Sequence, residues 1–173
     1  NPKGIILSGG PSSVYEVDAP TSDVKALLQL APLMGICYGM QLLAYQLGGE
    51  VIRSEHREYG MAQVHWKDVQ NLSLKNKNQK VWMSHGDVVK TAPAETVVAA
   101  ESENGLMASF VGPRVFAVQF HPEVSHTDEG DKIIEFFVKN ICQAQPEWDA
   151  PHMLEAMKDK VLSIVQKDEA VLC

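Results

Sequence analysis

Over the first fifty residues, short apolar runs alternate with apolar positions at helical spacing. Gly4-Ile5-Ile6-Leu7 predicts a strand, ended at Ser8-Gly9-Gly10-Pro11 where two glycines and a proline interrupt any regular element. Thr21 to Leu30 predicts a helix capped by Ser22 or Asp23, with Val24, Leu27, Leu28 and Ala31 facing inward. Pro32 to Ile36 predicts a second buried strand, with Cys37 at its end. From Tyr38 a second helix carries Leu42, Leu43 and Leu47 on one face and stops at Gly48-Gly49. Strand, helix, strand, helix is the pattern of a parallel α/β sheet.

The middle of the chain changes character. Glu50 to Ile52, Met61 to Trp66, Lys80 to Met83, Thr96 to Ala100, Gly105 to Phe110 and Val115 to Phe120 are short and β-rich, which predicts antiparallel strands beside the parallel core. A helix is expected from about Gly130 to Cys142, with Ile133, Ile134, Phe137 and Ile141 in register. Gln145 to Pro151 then reads as a linker, Met153 to Val165 as a helix with one apolar side, and Ala170-Val171-Leu172 as the start of a strand.

Composition narrows the class. The 173 residues are 45% hydrophobic and 21% charged, ordinary for a folded domain and unlike a disordered chain. A net charge of −7 argues against a broad nucleic-acid surface. No apolar stretch is long enough to span a bilayer, and the first residues do not read as a signal peptide. Three widely spaced cysteines, Cys37, Cys142 and Cys173, form no disulfide framework, so a cytoplasmic protein is expected.

Three segments carry candidate chemistry. Gly35-Ile36-Cys37-Tyr38-Gly39 has the form of a nucleophile elbow with cysteine as the nucleophile. Small residues two before and two after relieve crowding at the sharp strand-to-helix turn, and the helix N-terminus favours a thiolate. The bland alternative is a buried structural cysteine between turn glycines. His121-Pro122-Glu123 follows an apolar strand, where a parallel sheet presents functional groups. There a histidine can serve a thiol as base and acid while a carboxylate orients the ring. A structural histidine, or a metal site with His126, are the alternatives; the cysteine and histidine spacings of zinc motifs are absent, and no metal is expected. Ser8 to Pro11 offers backbone amides at a strand end, or simply a turn. Ser84-His85-Gly86-Asp87 reads as a substrate loop or a hairpin turn, and Arg57-Glu58-Tyr59-Gly60 as a charged, solvated stretch with a contact role open.

Taken together, these motifs resemble the class I (triad) glutamine amidotransferases. Gly35 to Gln41 is similar to the family's Gly-x-Cys-x-Gly-x-Gln signature, His121-Pro122-Glu123 to its second motif, and Ser8 to Pro11 to its oxyanion strand. The resemblance implies a flavodoxin-like, mostly parallel sheet flanked by helices with additional antiparallel strands. It implies Cys37, His121 and Glu123 as catalytic residues, backbone amides of Gly10 and Tyr38 as oxyanion hole, and Gln41, Ser84, Gly86 and Asp87 as glutamine-binding groups. It implies no cofactor for the glutaminase itself.

Within the family, the forms Cys37 to Gln41, Arg57 to Gly60, Trp82 to Asp87, Val118 to Glu123 and Trp148 to Pro151 resemble the branch whose partner domain aminates XMP with ATP and Mg²⁺. That branch implies residues 1–142 as a glutaminase domain lacking its first strand and helix, 143–151 as linker, and 152–173 as the first helix and strand of an ATP pyrophosphatase domain. It also implies a homodimer in the full-length enzyme. Anthranilate- or carbamoyl-phosphate-type amidotransferases, and a silent regulatory domain on the same fold, are the alternatives.

Overall fold

The computed structural model describes residues 2–145 and 150–165, with the side chains of 55–57 and 150 outside the description. The expected linker residues Trp148 and Asp149, the Ala170–Leu172 strand, Cys173 and the Arg57 side chain therefore lie outside the described residues.

The apolar runs pair as expected. β1 (Ile5–Leu7), β2 (Leu33–Ile36) and β7 (Val115–Val118) are parallel neighbours, with Ile5 opposite Leu33, and Leu33 opposite Val115. Every residue of β2 and β7 is buried, as in a sheet covered on both faces. Alternation along β7 then feeds two cores. Val115 and Ala117 pack with Val24, Leu33, Met40 and Leu43 on the side of α1 (Val24–Leu30) and α2 (Tyr38–Gln46). Phe116 and Val118 pack with Met34, Trp66, Phe120 and Ile133 on the side of α3 (Gly130–Glu135), which continues as a π-helical segment, Phe136–Ile141. Asp23 caps α1, its Oδ1 accepting from the Ala26 N–H at 2.9 Å.

The remaining strands extend the sheet antiparallel from β7: β6 (Met107–Gly112), β5 (Val97–Ser102), β3 (Glu50–Trp66) and β4 (Asn78–Thr91). The order across the seven strands is β1-β2-β7-β6-β5-β3-β4. Two expectations are corrected here. Glu50 to Ile52 and Met61 to Trp66 are ends of one strand, β3, which runs through the charged stretch between them. Ser84 to Asp87 is neither loop nor hairpin turn but lies inside β4, paired with β3 across a register break between Arg53 and Glu58.

α4 (Ala150–Ile164) follows the undescribed residues. Its apolar side chains Met153, Leu154, Met157 and Val161 are all exposed.

Candidate active site

Cys37 sits between the end of β2 and the start of α2 with φ 54° and ψ −109°, a backbone conformation that side chains other than glycine rarely adopt. The turn is held by the Cys37 N–H, which donates to the Val118 carbonyl at 2.9 Å, and by the Gly39 N–H, which donates to the Ser8 carbonyl at 3.1 Å. The two flanking glycines have separate steric reasons. A Cβ on Gly35 would meet Gly39 backbone atoms at 2.6 Å, and one on Gly39 would meet the Leu7 carbonyl oxygen at 2.1 Å. So the spacing read in the sequence is required by close approach of β1, β2 and α2. Cys37 is 4% exposed, and its Sγ faces the Ser84 carbonyl at 3.6 Å.

His121 arrives just beyond β7, the strand beside β2. Its N–H donates to the Trp82 carbonyl at 3.0 Å, and its carbonyl accepts from Thr127 Oγ1 at 2.6 Å, so backbone pairing aims the ring. Nδ1 meets Glu123 Oε1 at 2.6 Å. Gly9 packs against both His121 and Cys37: a Cβ there would lie 3.0 Å from His121 Cε1 and 3.6 Å from Cys37 Cβ. The imidazole is pushed up to about 9 by its hydrogen bond with Cys37, against burial, with Glu123 adding to the rise. His126 does not join this pair; its ring packs 5.1 Å from that of Trp82. Among the described residues, no group of three or more His, Cys, Asp and Glu is arranged to hold a metal ion.

A cleft of about 620 Å³ opens over Cys37 and His121. Gly9, Gly10, Gln41, Ser84, Gly86 and Asp87 line it, so the expected residues from four distant segments converge. Tyr38 is the first residue of α2, where a helix leaves its N–H groups without intrahelical acceptors. Gly10 lies against it, a Cβ there falling 3.4 Å from the Tyr38 ring. Gln41 is 3% exposed and donates Nε2 to the Asp87 carbonyl at 3.0 Å and to Gln119 Oε1 at 3.3 Å. The Asp87 carboxylate accepts from the Tyr15 hydroxyl at 2.9 Å.

Sequence reasoning missed several participants. Tyr15 and Arg53 also line the cleft, and Gln119 holds Gln41 from behind; Tyr59 and His85, from the two stretches whose roles stayed open, line it too. Arg57 to Gly60 is not simply solvated, because Glu58 is only 7% exposed. Its Oε1 accepts from Ser102 Oγ at 2.9 Å and Asn104 Nδ2 at 2.8 Å. Burial works to raise the Glu58 pKa, but hydrogen bonds from His85, Asn104 and Ser102 outweigh it and hold the carboxyl below its ordinary range. No local signal announces this, since the partners come from another strand and turn.

The family model for class-I glutamine amidotransferases matches residues 1–141. The chain belongs to that family. Among curated relatives, a glutamine-hydrolysing GMP synthase of Bdellovibrio bacteriovorus is 51% identical over 166 residues, covering 93% of this chain and 32% of the relative. A glutamine-hydrolysing GMP synthase of a Nitratiruptor species is 44% identical over 99% of this chain and 34% of its own length. The chain thus spans about a third of the length of these relatives. Among solved structures, a glutamine amidotransferase of Thermotoga maritima superposes with TM-score 0.58 at 25% identity, covering 91% of this chain and 72% of that one. A Thermoplasma acidophilum protein, solved as a candidate GMP synthase component, gives TM-score 0.69 at 28% identity, covering 90% and 76%. As a class-I glutamine amidotransferase domain, the chain combines an elbow cysteine with a histidine–carboxylate pair just beyond the ends of adjoining parallel strands. No described helix is long and apolar enough to cross a membrane.

Proposed function

We propose that this chain is the glutaminase part of a glutamine-hydrolysing GMP synthase, with Cys37, His121 and Glu123 as its catalytic residues. One observation carries the reading: Cys37, on a strained turn after β2, adjoins a His121 already paired to Glu123 at 2.6 Å after the neighbouring strand.

In this reading Cys37 attacks the side-chain carboxamide carbon of glutamine as a thiolate, and the carbon–oxygen π electrons move onto oxygen. Backbone N–H groups of Gly10 and Tyr38 donate to that oxyanion, an effect of about 3–4 kcal/mol when one such donor is lost elsewhere. His121 gives its proton to the departing nitrogen, so ammonia leaves and a γ-glutamyl thioester remains. The now neutral ring takes a proton from water, hydroxide attacks the thioester, and glutamate and the thiolate separate. Glu123 keeps Nδ1 protonated and stabilises the imidazolium. Gln41, Ser84, Gly86 and Asp87 hold glutamine, partly through backbone groups.

Ammonia then passes to a synthetase domain that aminates XMP to GMP. There ATP, with Mg²⁺, activates the nucleotide. Residues 143–151 would be the linker and 152–173 the first helix and strand of that domain; the exposed apolar side of α4 supports a neighbour of this kind. The full-length enzyme is read as a cytoplasmic homodimer. Similarity to GMP synthases over 99% of the chain, past the family match at residue 141, favours this branch over anthranilate- or carbamoyl-phosphate-type enzymes. The test is GMP formation by the full-length protein from XMP, ATP and Mg²⁺ with either nitrogen source. Cys37→Ala should abolish the glutamine-dependent reaction and spare the ammonia-dependent one. Glutamine-dependent synthesis surviving in Cys37→Ala refutes the assignment.

A further inference from the structure

An acidic and a basic side chain beside the cleft are buried and take no part in the chemistry proposed above. Glu58 and His85 stand directly opposite each other on β3 and β4, just past a break in register. Between the pairs Arg53–Asp87 and Glu58–His85, residues 54–57 of β3 are set against Gly86 alone. Such a bulge lets a strand pair shift unless something pins its far side.

The pin is visible. Glu58 Oε2 and His85 Nε2 face each other at 3.3 Å, and neither has a hydrogen-bond partner elsewhere among the described residues. Glu58 Oε1 is tied to Ser102 and Asn104, at the end of β5 and the turn beyond it. At the other end of the relay, His85 Nδ1 lies 3.1 Å from the Asp87 carbonyl, the same oxygen that accepts from Gln41 Nε2. Both ring nitrogens of His85 thus face oxygens, the Asp87 carbonyl on one side and Glu58 Oε2 on the other. One residue earlier on β4, the Ser84 carbonyl faces the Cys37 thiol. An unpaired carboxylate or imidazole here would be costly, so the pair fixes its geometry as a unit.

We propose that Glu58 and His85 form a buried positioning pair that holds the Ser84–Asp87 segment of β4 at the distance from Cys37 and Gln41 needed to seat glutamine. The inference rests on the glutaminase reading above. Neither residue reaches the reacting atoms: Glu58 acts through His85, and His85 through the Asp87 carbonyl. What the pair supplies is reach across the bulge, so side-chain length matters more than charge.

The experiment compares Glu58→Gln, Glu58→Asp and His85→Asn in the full-length protein. Readouts are kcat and KM for glutamine, the rate of Cys37 alkylation by iodoacetamide, and thermal unfolding. Glu58→Gln keeps the length and can still accept from Ser102 and Asn104, so KM should stay within about threefold of wild type. Glu58→Asp and His85→Asn shorten the span and should raise KM about tenfold or more with kcat changed far less. Cys37 alkylation, which needs no seated glutamine, should keep its rate in all three. Folded Glu58→Asp and His85→Asn variants with unchanged KM overturn the proposal, as does a Glu58→Gln variant whose KM rises as far as theirs. If only one shortened variant folds, its KM decides; if neither folds, the pair serves sheet stability and the proposal fails. A wild-type protein that releases no ammonia from glutamine overturns the glutaminase reading itself, a result distinct from unchanged KM in active variants.

Discussion

The elbow leaves no room for a side chain at Gly39, and Gly39→Ala tests whether it is as tightly assembled as its contacts imply. The added Cβ would lie 2.1 Å from the Leu7 carbonyl oxygen and 2.7 Å from its carbon. Carbon–oxygen contacts settle at about 3.3 Å or more, so β1 and α2 must separate by about 1 Å. That opening lengthens the 3.1 Å hydrogen bond from Gly39 to Ser8, which ties the end of β1 to the first turn of α2. Overpacking costs about 1–3 kcal/mol, and the lost hydrogen bond about 1 kcal/mol more. A total of about 2–4 kcal/mol, at a urea slope near 2 kcal/mol/M, lowers the unfolding midpoint by about 1–2 M. Gly105→Ala is the control, because Gly105 has φ +75° with nothing within 4 Å of a new Cβ. It should cost only the dihedral penalty, about 1–2 kcal/mol. Glutamine hydrolysis should fall about a hundredfold in Gly39→Ala, since Cys37 and the Ser8–Pro11 segment move apart. A Gly39→Ala midpoint no lower than that of Gly105→Ala, with normal activity, refutes the reasoning.

Other outcomes follow from the same contacts. Glu123→Gln should lower kcat for glutamine hydrolysis between about tenfold and a thousandfold with little change in KM, read by ammonia release, because the ring loses its orienting anion. His121 has a folded-state pKa of about 9 against an ordinary 6.5, so its stabilisation is fully present below about pH 6.5 and is lost as pH rises through about 9. Unfolding free energy should therefore decline across that window, and the decline should shrink in Cys37→Ala, which removes the first cause of the shift; equal slopes would contradict the pairing. Burial pushes the Cys142 thiol up, so a neutral-pH alkylating reagent should modify Cys37 well before Cys142, as followed by peptide mass mapping.

How much could be read from residues alone depended on how local each constraint was. β2 and β7 were legible because strands covered on both faces are written as continuous apolar runs. The elbow was legible because the glycines that permit it stand beside the cysteine. His121 and Glu123 were legible as a unit, being two residues apart. The full length of β3 was not, because Glu58 inside it is satisfied by Ser102 and Asn104, far along the chain. Ser84 to Asp87 misled for a related reason: serine, glycine and aspartate favour turns locally, yet cross-strand pairing with Tyr59 and Glu58 keeps them in β4. The support of Gln41 by Gln119 likewise exists only once β7 and α2 are neighbours.

The most direct measurement of the central claim is acid-quenched mass spectrometry of the full-length protein turning over glutamine. The account predicts a glutamyl group on the peptide bearing Cys37 during turnover, absent from Cys37→Ala. A glutamyl adduct on another residue, or glutamine hydrolysis undiminished in Cys37→Ala, would contradict it.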